Sequence, residues 1–114
     1  MIIILQKNEP LTPEAFMQAR TAYKDFVKIT IDIKNQTVAL GGEYHADAEK
    51  MLLGQGSRQE NIWGGGIDLS TSIFFVNAMI NLRPGSNDST DILDPVTREQ
   101  FLSQAKEALK YHVR

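Results

Sequence analysis

The chain has 114 residues, no cysteine, and 12 basic against 14 acidic side chains for a formal charge of −2. That size suits one domain over residues 1–114, burying about two thirds of its unfolded surface around a single core. Without cysteine there is no disulfide, thiolate nucleophile or cysteine-ligated zinc, which fits a reducing, cytoplasmic setting. Scattered Arg and Lys with no basic stripe argue against a nucleic-acid partner, and no run approaches the ~18–20 apolar residues of a membrane span.

In chain order, Met1-Ile2-Ile3-Ile4-Leu5 reads as a buried strand; it is too short for a signal segment and lacks the basic lead-in. Thr12-Pro13-Glu14 opens a helix, with Thr12 as cap, Pro13 at the first helical position and Glu14 complementing the dipole. Phe16, Ala19 and Tyr23 share one face, so this helix is expected to end near Tyr23 or Lys24. Val27, Ile29, Ile31 and Ile33 then alternate with Lys28, Thr30, Asp32 and Lys34, the pattern of a strand with one wet face. Asn35-Gln36 turns into a strand from Thr37 to Leu40 without the glycine of a strong hairpin signal, and Gly41-Gly42 ends it.

A short helix from Tyr44 or Asp47 to Leu53 is closed by Gly54. Residues Ile62 to Leu69 form a weaker strand interrupted by Gly64-Gly65-Gly66, the mark of a bulge or of close backbone approach. The alternation of Phe74, Val76, Ala78, Ile80 and Leu82 predicts a long central strand. Residues 84–90 are a surface loop, and Asp94 caps a last helix that starts at Pro95 and turns Phe101, Ala105, Ala108 and Leu109 inward as far as Tyr111. The order is βαββαββα, and hairpin-length connections favour antiparallel pairing. The predicted fold is an α+β two-layer sandwich with helices on one face of a mostly antiparallel sheet. Its other face, carrying Thr30, Asp32, Asn77, Asn81 and Arg83, is expected to meet solvent, a ligand or a partner.

Site chemistry concentrates in Gly41-Gly42-Glu43-Tyr44-His45-Ala46-Asp47-Ala48-Glu49. On a helix, His45 and Glu49 share one flank of the Tyr44, Ala48, Met51 and Leu52 stripe, while Glu43 and Asp47 fall on the opposite flank, so four groups cannot meet at one ion. A metal would need a third ligand from Asp32, Asp68 or His112. If the helix starts later, Asp47 becomes its cap and Glu43 and His45 point the same way. His45 is open to three readings: a structural hydrogen-bonding histidine, a ligand contact, or a metal ligand. Arg83 either neutralises Asp32 or Glu49 or grips an anionic ligand with its planar fork. Trp63 belongs to the core or its rim, with a stacking or interface role as the alternative. The three glycines are not a phosphate loop, since no Lys-Ser/Thr pair follows, and no Gly-x-Ser-x-Gly nucleophile turn occurs.

The Gly-Gly-Glu-x-His-Ala-Asp-Ala-Glu block, with Leu52-Leu53, Gly56-Ser57, Gln59, Ile62-Trp63-Gly64, Ile80-Asn81, Arg83-Pro84 and Asp94-Pro95 in order behind it, resembles a family of small prokaryotic proteins known only as a domain of unknown function. The resemblance covers most of the chain and brings no activity with it. It implies that the His45 segment, Gln59, Trp63 and the Asn81-x-Arg83-Pro84 stretch form one shared pattern. Asp88 departs from the basic residue often found there, which leaves Arg83 as the main positive charge of that loop.

The leading expectation is a module binding a small polar or anionic ligand, with His45, Glu49, Gln59, Asn81 and Arg83 around one site and Trp63 at its edge. One alternative is an enzyme using His45 as general base, oriented by Glu43 or Glu49 and assisted by a divalent ion. Another is a homo-oligomeric or partner-binding module, for which exposure of Phe75 and Met79 would be the sign. Whether a cofactor is used is unknown from the residues.

Overall fold

Alternation in the stretch 26–32 builds the middle of a sheet. In the computed structural model, which describes residues 1–113, strand β2 (Phe26–Asp32) is the third of five strands. The elements run β1 (Ile3–Leu5), α1 (Pro13–Ala19), β2, β3 (Thr37–Leu40), α2 (His45–Gly54), β4 (Ile62–Asp68), β5 (Ile73–Phe75) and α3 (Pro95–Leu109), with single 3-10 turns at Gln59–Asn61 and Met79–Asn81. Strand order is β1-β3-β2-β4-β5, and every neighbouring pair is antiparallel. The α+β class, the antiparallel sheet and the order βαββαββα are those read from the sequence. Among the described residues no helix is long and apolar enough to cross a membrane.

The helices divide between the two faces of the sheet instead of sharing one. Successive strand residues point to opposite sides, and on β4 a Cβ at Gly65 would stand 2.8 Å from the Phe101 ring of α3, whereas one at Gly64 would stand 2.9 Å from the His45 ring of α2. Val27, Ile29, Ile31, Val38, Leu40 and Ile67 join Phe16 of α1 and Phe101, Ala105 and Leu109 of α3 in the main core. Burial there contributes about 25 cal/mol per Å² of apolar surface. On the other face Ala48 and Leu52 of α2 close over Ala39 and Ile62, with Ile2, Ile4 and Ile80 against them. That face reads as wet because Thr30, Asp32 and Gly64 are small or polar, yet Thr30 and Asp32 are buried.

Asp32 is affordable in the interior because every lone pair has work. Its Oδ1 accepts from the Lys34 and Asn35 backbone N–H groups at 3.1 Å each, and its Oδ2 from Asn35 Nδ2 at 2.8 Å and Ser57 Oγ at 2.6 Å. Burial pushes this carboxyl up, but the Ser57 and Asn35 hydrogen bonds together pull it below its ordinary value. They also explain a hairpin without glycine, since the carboxylate holds the turn while Gln36 takes φ +57.

Four elements differ from the expectation. Helix α1 stops at Ala19 rather than near Tyr23, because its last carbonyl lies against Gly41 (φ +97), where a Cβ would stand 2.7 Å from the Ala19 oxygen. Tyr23 instead stacks on Phe26 at 4.2 Å between centroids and donates its hydroxyl to the Glu43 carbonyl at 2.8 Å. Helix α2 runs through Gly54 to a Schellman closure, with Ser57 N–H on the Leu52 carbonyl and Gly56 N–H on that of Leu53, both at 3.0 Å. Strand β4 is continuous, paired with β2 from Ile62 to Asp68 without a bulge; the glycines answer close approach. The long strand expected after residue 73 pairs only over Ile73–Phe75.

Beyond Gly66 the edge of β4 is closed by a side chain. Asn81, wholly buried, accepts from the Gly64 N–H at 2.8 Å and donates from Nδ2 to the Gly64 carbonyl at 2.9 Å and to the Val76 and Thr90 carbonyls at 3.0 Å each. Its carboxamide thereby replaces a paired peptide. Asn87 organises the following loop, donating to the carbonyls of Asn81, Ser89 and Asp91 and accepting from Leu93 N–H.

Candidate ligand pocket

Helix α2 begins where Tyr44, extended at φ −133 and ψ 137, follows the two left-handed glycines. Tyr44 is the N-cap residue and its side chain makes no capping bond; Asp47 lies inside the first turn instead of capping, its own N–H reaching the Tyr44 carbonyl at 3.2 Å. The N–H groups of His45 and Ala46 are taken by no side chain or carbonyl among the described residues. An open helix start of this kind carries a partial positive charge.

His45, 8% exposed, turns back under the helix with Nε2 2.6 Å from the Gly65 carbonyl. Only an N–H can meet a carbonyl, so Nε2 is the donor and Nδ1 of the neutral ring is an acceptor. Burial pushes its pKa below the ordinary 6.5; the Gly65 carbonyl opposes this and the Lys28 charge adds to it. The unfolded chain therefore takes up this proton at higher pH than the folded one. The His45 contribution to stability is complete above about pH 6.5 and is lost as pH falls below it. Urea unfolding across pH 5–8 should show a decline that His45→Gln flattens; the Asp32 contribution, also from a lowered pKa, is lost only on further acidification below its ordinary 3.8. An unchanged slope in the variant would refute the assignment.

Beside this ring lies a cavity of about 400 Å³, lined by Lys28, Tyr44, His45, Ala46, Ala78, Met79 and Ile80 together with Asn77 and Thr90, a volume usual for small-molecule sites. Tyr44 and Met79 are largely exposed, at 64% and 73%. Lys28 is half-buried, its ammonium 5.6 Å from the Tyr23 ring centroid and 5.8 Å from that of Phe26, and it forms no ion pair among the described residues. A second cavity of about 410 Å³ lies between residues 5–11 and the end of α3, including Lys7, Gln104, Lys110 and His112.

The six residues expected around one polar site divide: Glu49, Trp63 and Arg83 stay close to one another, apart from the cavity that His45 lines. His45 reaches the cavity. Asn81 is buried as a closure of the sheet edge, and Gln59 is exposed on the Gln59–Asn61 turn. Arg83 lies 3.9 Å from the Trp63 ring centroid, donating to the Glu60 carbonyl at 3.2 Å and to that of Ile62. Burial pushes this guanidinium down from its ordinary value against the opposing Glu49 carboxylate, which is near enough to act on it without an ion pair. Glu49 Oε2 and Arg83 Nε are buried without partners. Trp63 takes part in the main core.

Among the described residues no group of three His, Asp or Glu could hold a metal ion. The proposed third ligands are engaged elsewhere: Asp32 at its hairpin, Asp68 with Ser70 at 2.6 Å, and His112 against the Leu11 carbonyl at 2.7 Å.

The family model described as "Protein of unknown function (DUF5674)" matches residues 3–107. The chain belongs to that family. The DUF5674 match runs from β1 into the last turns of α3, so it contains the His45 cavity, the Asn81 closure and the Arg83–Trp63 pair alike. No curated protein and no solved structure matches the chain. Lys28, Ile80 and Thr90 line the cavity without having been expected at a site, and Met79 was expected only as the sign of an interface. Lys28 carried a signal, its place beside Thr30 on the polar side of β2, but that side reads as solvent when α2 is not placed over it.

Proposed function

We propose that the chain is a binding module for a small anionic ligand, held in the cavity at the start of α2. The observation that carries this reading is Lys28, a half-buried ammonium without a carboxylate partner among the described residues, sharing a cavity with a helix start that no side chain caps. Backbone N–H groups and the dipole supply anion recognition at such a position, and Lys28 adds a full charge. The remaining wall, from Ala78, Met79 and Ile80, suits an apolar body.

Thermal shift with phosphate, acetate and longer carboxylates tests the reading. A ligand at a hundred times its dissociation constant stabilises by about 2.7 kcal/mol, so a rise in melting temperature is expected that Lys28→Gln abolishes and Arg83→Lys leaves in place. No rise with any anion, or one indifferent to Lys28→Gln, would refute it.

Catalysis by His45 would call for an orienting carboxylate. Nε2 is on a backbone carbonyl, Glu43 is exposed, and Glu49 acts on Arg83. For an interaction module, Met79 is exposed as required, but the Phe75 ring is half-buried against Gly66.

A further inference from the structure

We infer that the ligand of this cavity is a free aliphatic monocarboxylate, with its one acid group at Lys28, a hydrocarbon chain along the wall and no second charge. This rests on the anion-binding reading above and deepens it. Of the residues that line the cavity only Lys28 carries a full charge at neutral pH, and no Asp, Glu or Arg is among them. Its ammonium lies 5.6 and 5.8 Å from the Tyr23 and Phe26 ring centroids, and close enough to His45 for its charge to oppose protonation there, after the larger effect of burial. The wall thus offers a single cation. A neutral occupant covering that ammonium takes its water away and returns nothing, whereas one carboxylate matches it.

Most of the remaining lining is hydrocarbon. Ala78 is buried and Ile80 half-buried, and Ala46 and the adaptable Met79 side chain extend that wall on the exposed side. The rings of the lining are His45, engaged with the Gly65 carbonyl, and Tyr44, 64% exposed, so the enclosed part has no free stacking platform. Thr90 and Asn77 are joined side chain to side chain at 3.3 Å, and Asn77 is exposed. A methylene laid fully on such a wall is worth roughly fourfold in affinity. A phosphate, near a dianion at neutral pH, or a dicarboxylate brings a second negative charge that no cation of the wall meets. Held inside, that charge is unpaired; left at the mouth, it draws the chain off the wall.

Isothermal titration of the full chain at pH 7.5 tests the inference with acetate, butyrate, hexanoate, hexanamide, adipate and inorganic phosphate. Affinity is expected to climb from acetate to hexanoate by at least about tenfold. Hexanamide, adipate and phosphate are each expected to bind at least about tenfold more weakly than hexanoate. Lys28→Met, which keeps a long side chain and removes the charge, is expected to bring hexanoate and hexanamide within about twofold. The wild-type series decides the matter even if that variant does not fold. Affinity that stays flat from acetate to hexanoate, or adipate or phosphate binding as tightly as hexanoate, overturns the inference and leaves anion binding standing. Hexanamide binding as tightly as hexanoate, a hexanoate preference that survives Lys28→Met, or no binding by any of the compounds overturns both.

Discussion

Asn81→Ala is expected to lower the unfolding free energy by about 3–5 kcal/mol, among the largest effects of any single substitution in this chain. The truncation strands the Gly64 N–H and carbonyl and the Val76 carbonyl in the interior, while the Thr90 carbonyl keeps the Ala78 N–H at 3.1 Å. Each buried group left unpaired costs about 1–3 kcal/mol. Asn81→Asp keeps the shape but replaces a donor that serves three carbonyls with an oxygen facing them, so its loss should be at least as large at pH 7. Chemical denaturation of the three proteins is the measurement. Losses below about 1 kcal/mol for both variants would mean that the Asn81 carboxamide does not hold the β4 edge.

Gly65→Ala is expected to lower stability by about 3 kcal/mol or to prevent folding. A methyl there would stand 2.8 Å from Phe101 and nearer still to the Phe75 carbonyl, closer than real Cβ atoms stand. Phe101 could turn, but the carbonyl belongs to β5, so the adjoining Gly66–Phe75 pair must separate. Gly54→Ala is the control, since a Cβ there meets nothing within 4 Å and alanine is the better helix former. A Gly65→Ala protein with the denaturation midpoint of the wild type would show that β5 is free to give way.

Elements whose signals are local were legible. Strand β2 declared itself by alternation, α3 by the Asp94 cap, whose carboxylate accepts from Thr97 N–H at 2.9 Å, and α1 by Thr12, which accepts from Ala15 N–H at 3.1 Å. Elements that depend on what lies opposite were not. Residues 74–82 alternate like a strand, but alternation encodes which way side chains face and not whether a neighbouring backbone is free, and Asn81 occupies the edge that a longer β5 would need. The polarity of Thr30 and Asp32 was read correctly and their burial was not, because hydrogen bonds from Ser57 and Asn35, 25 and 3 residues away in sequence, make Asp32 compatible with the interior. His45 and its helix were visible as site chemistry. Its partners Lys28, on β2, and Met79 and Ile80, in one 3-10 turn, come from two distant parts of the chain and are assembled only by the sheet.

Met79 and Ile80, which wall the cavity, sit in the same 3-10 turn as Asn81. Moving that wall outward would pull Asn81 from Gly64, so the cavity cannot widen without opening the sheet edge. The cavity wall is thus preorganised: under the binding role proposed above, an occupant would meet a shape already set, and selection would be by fit rather than by closure.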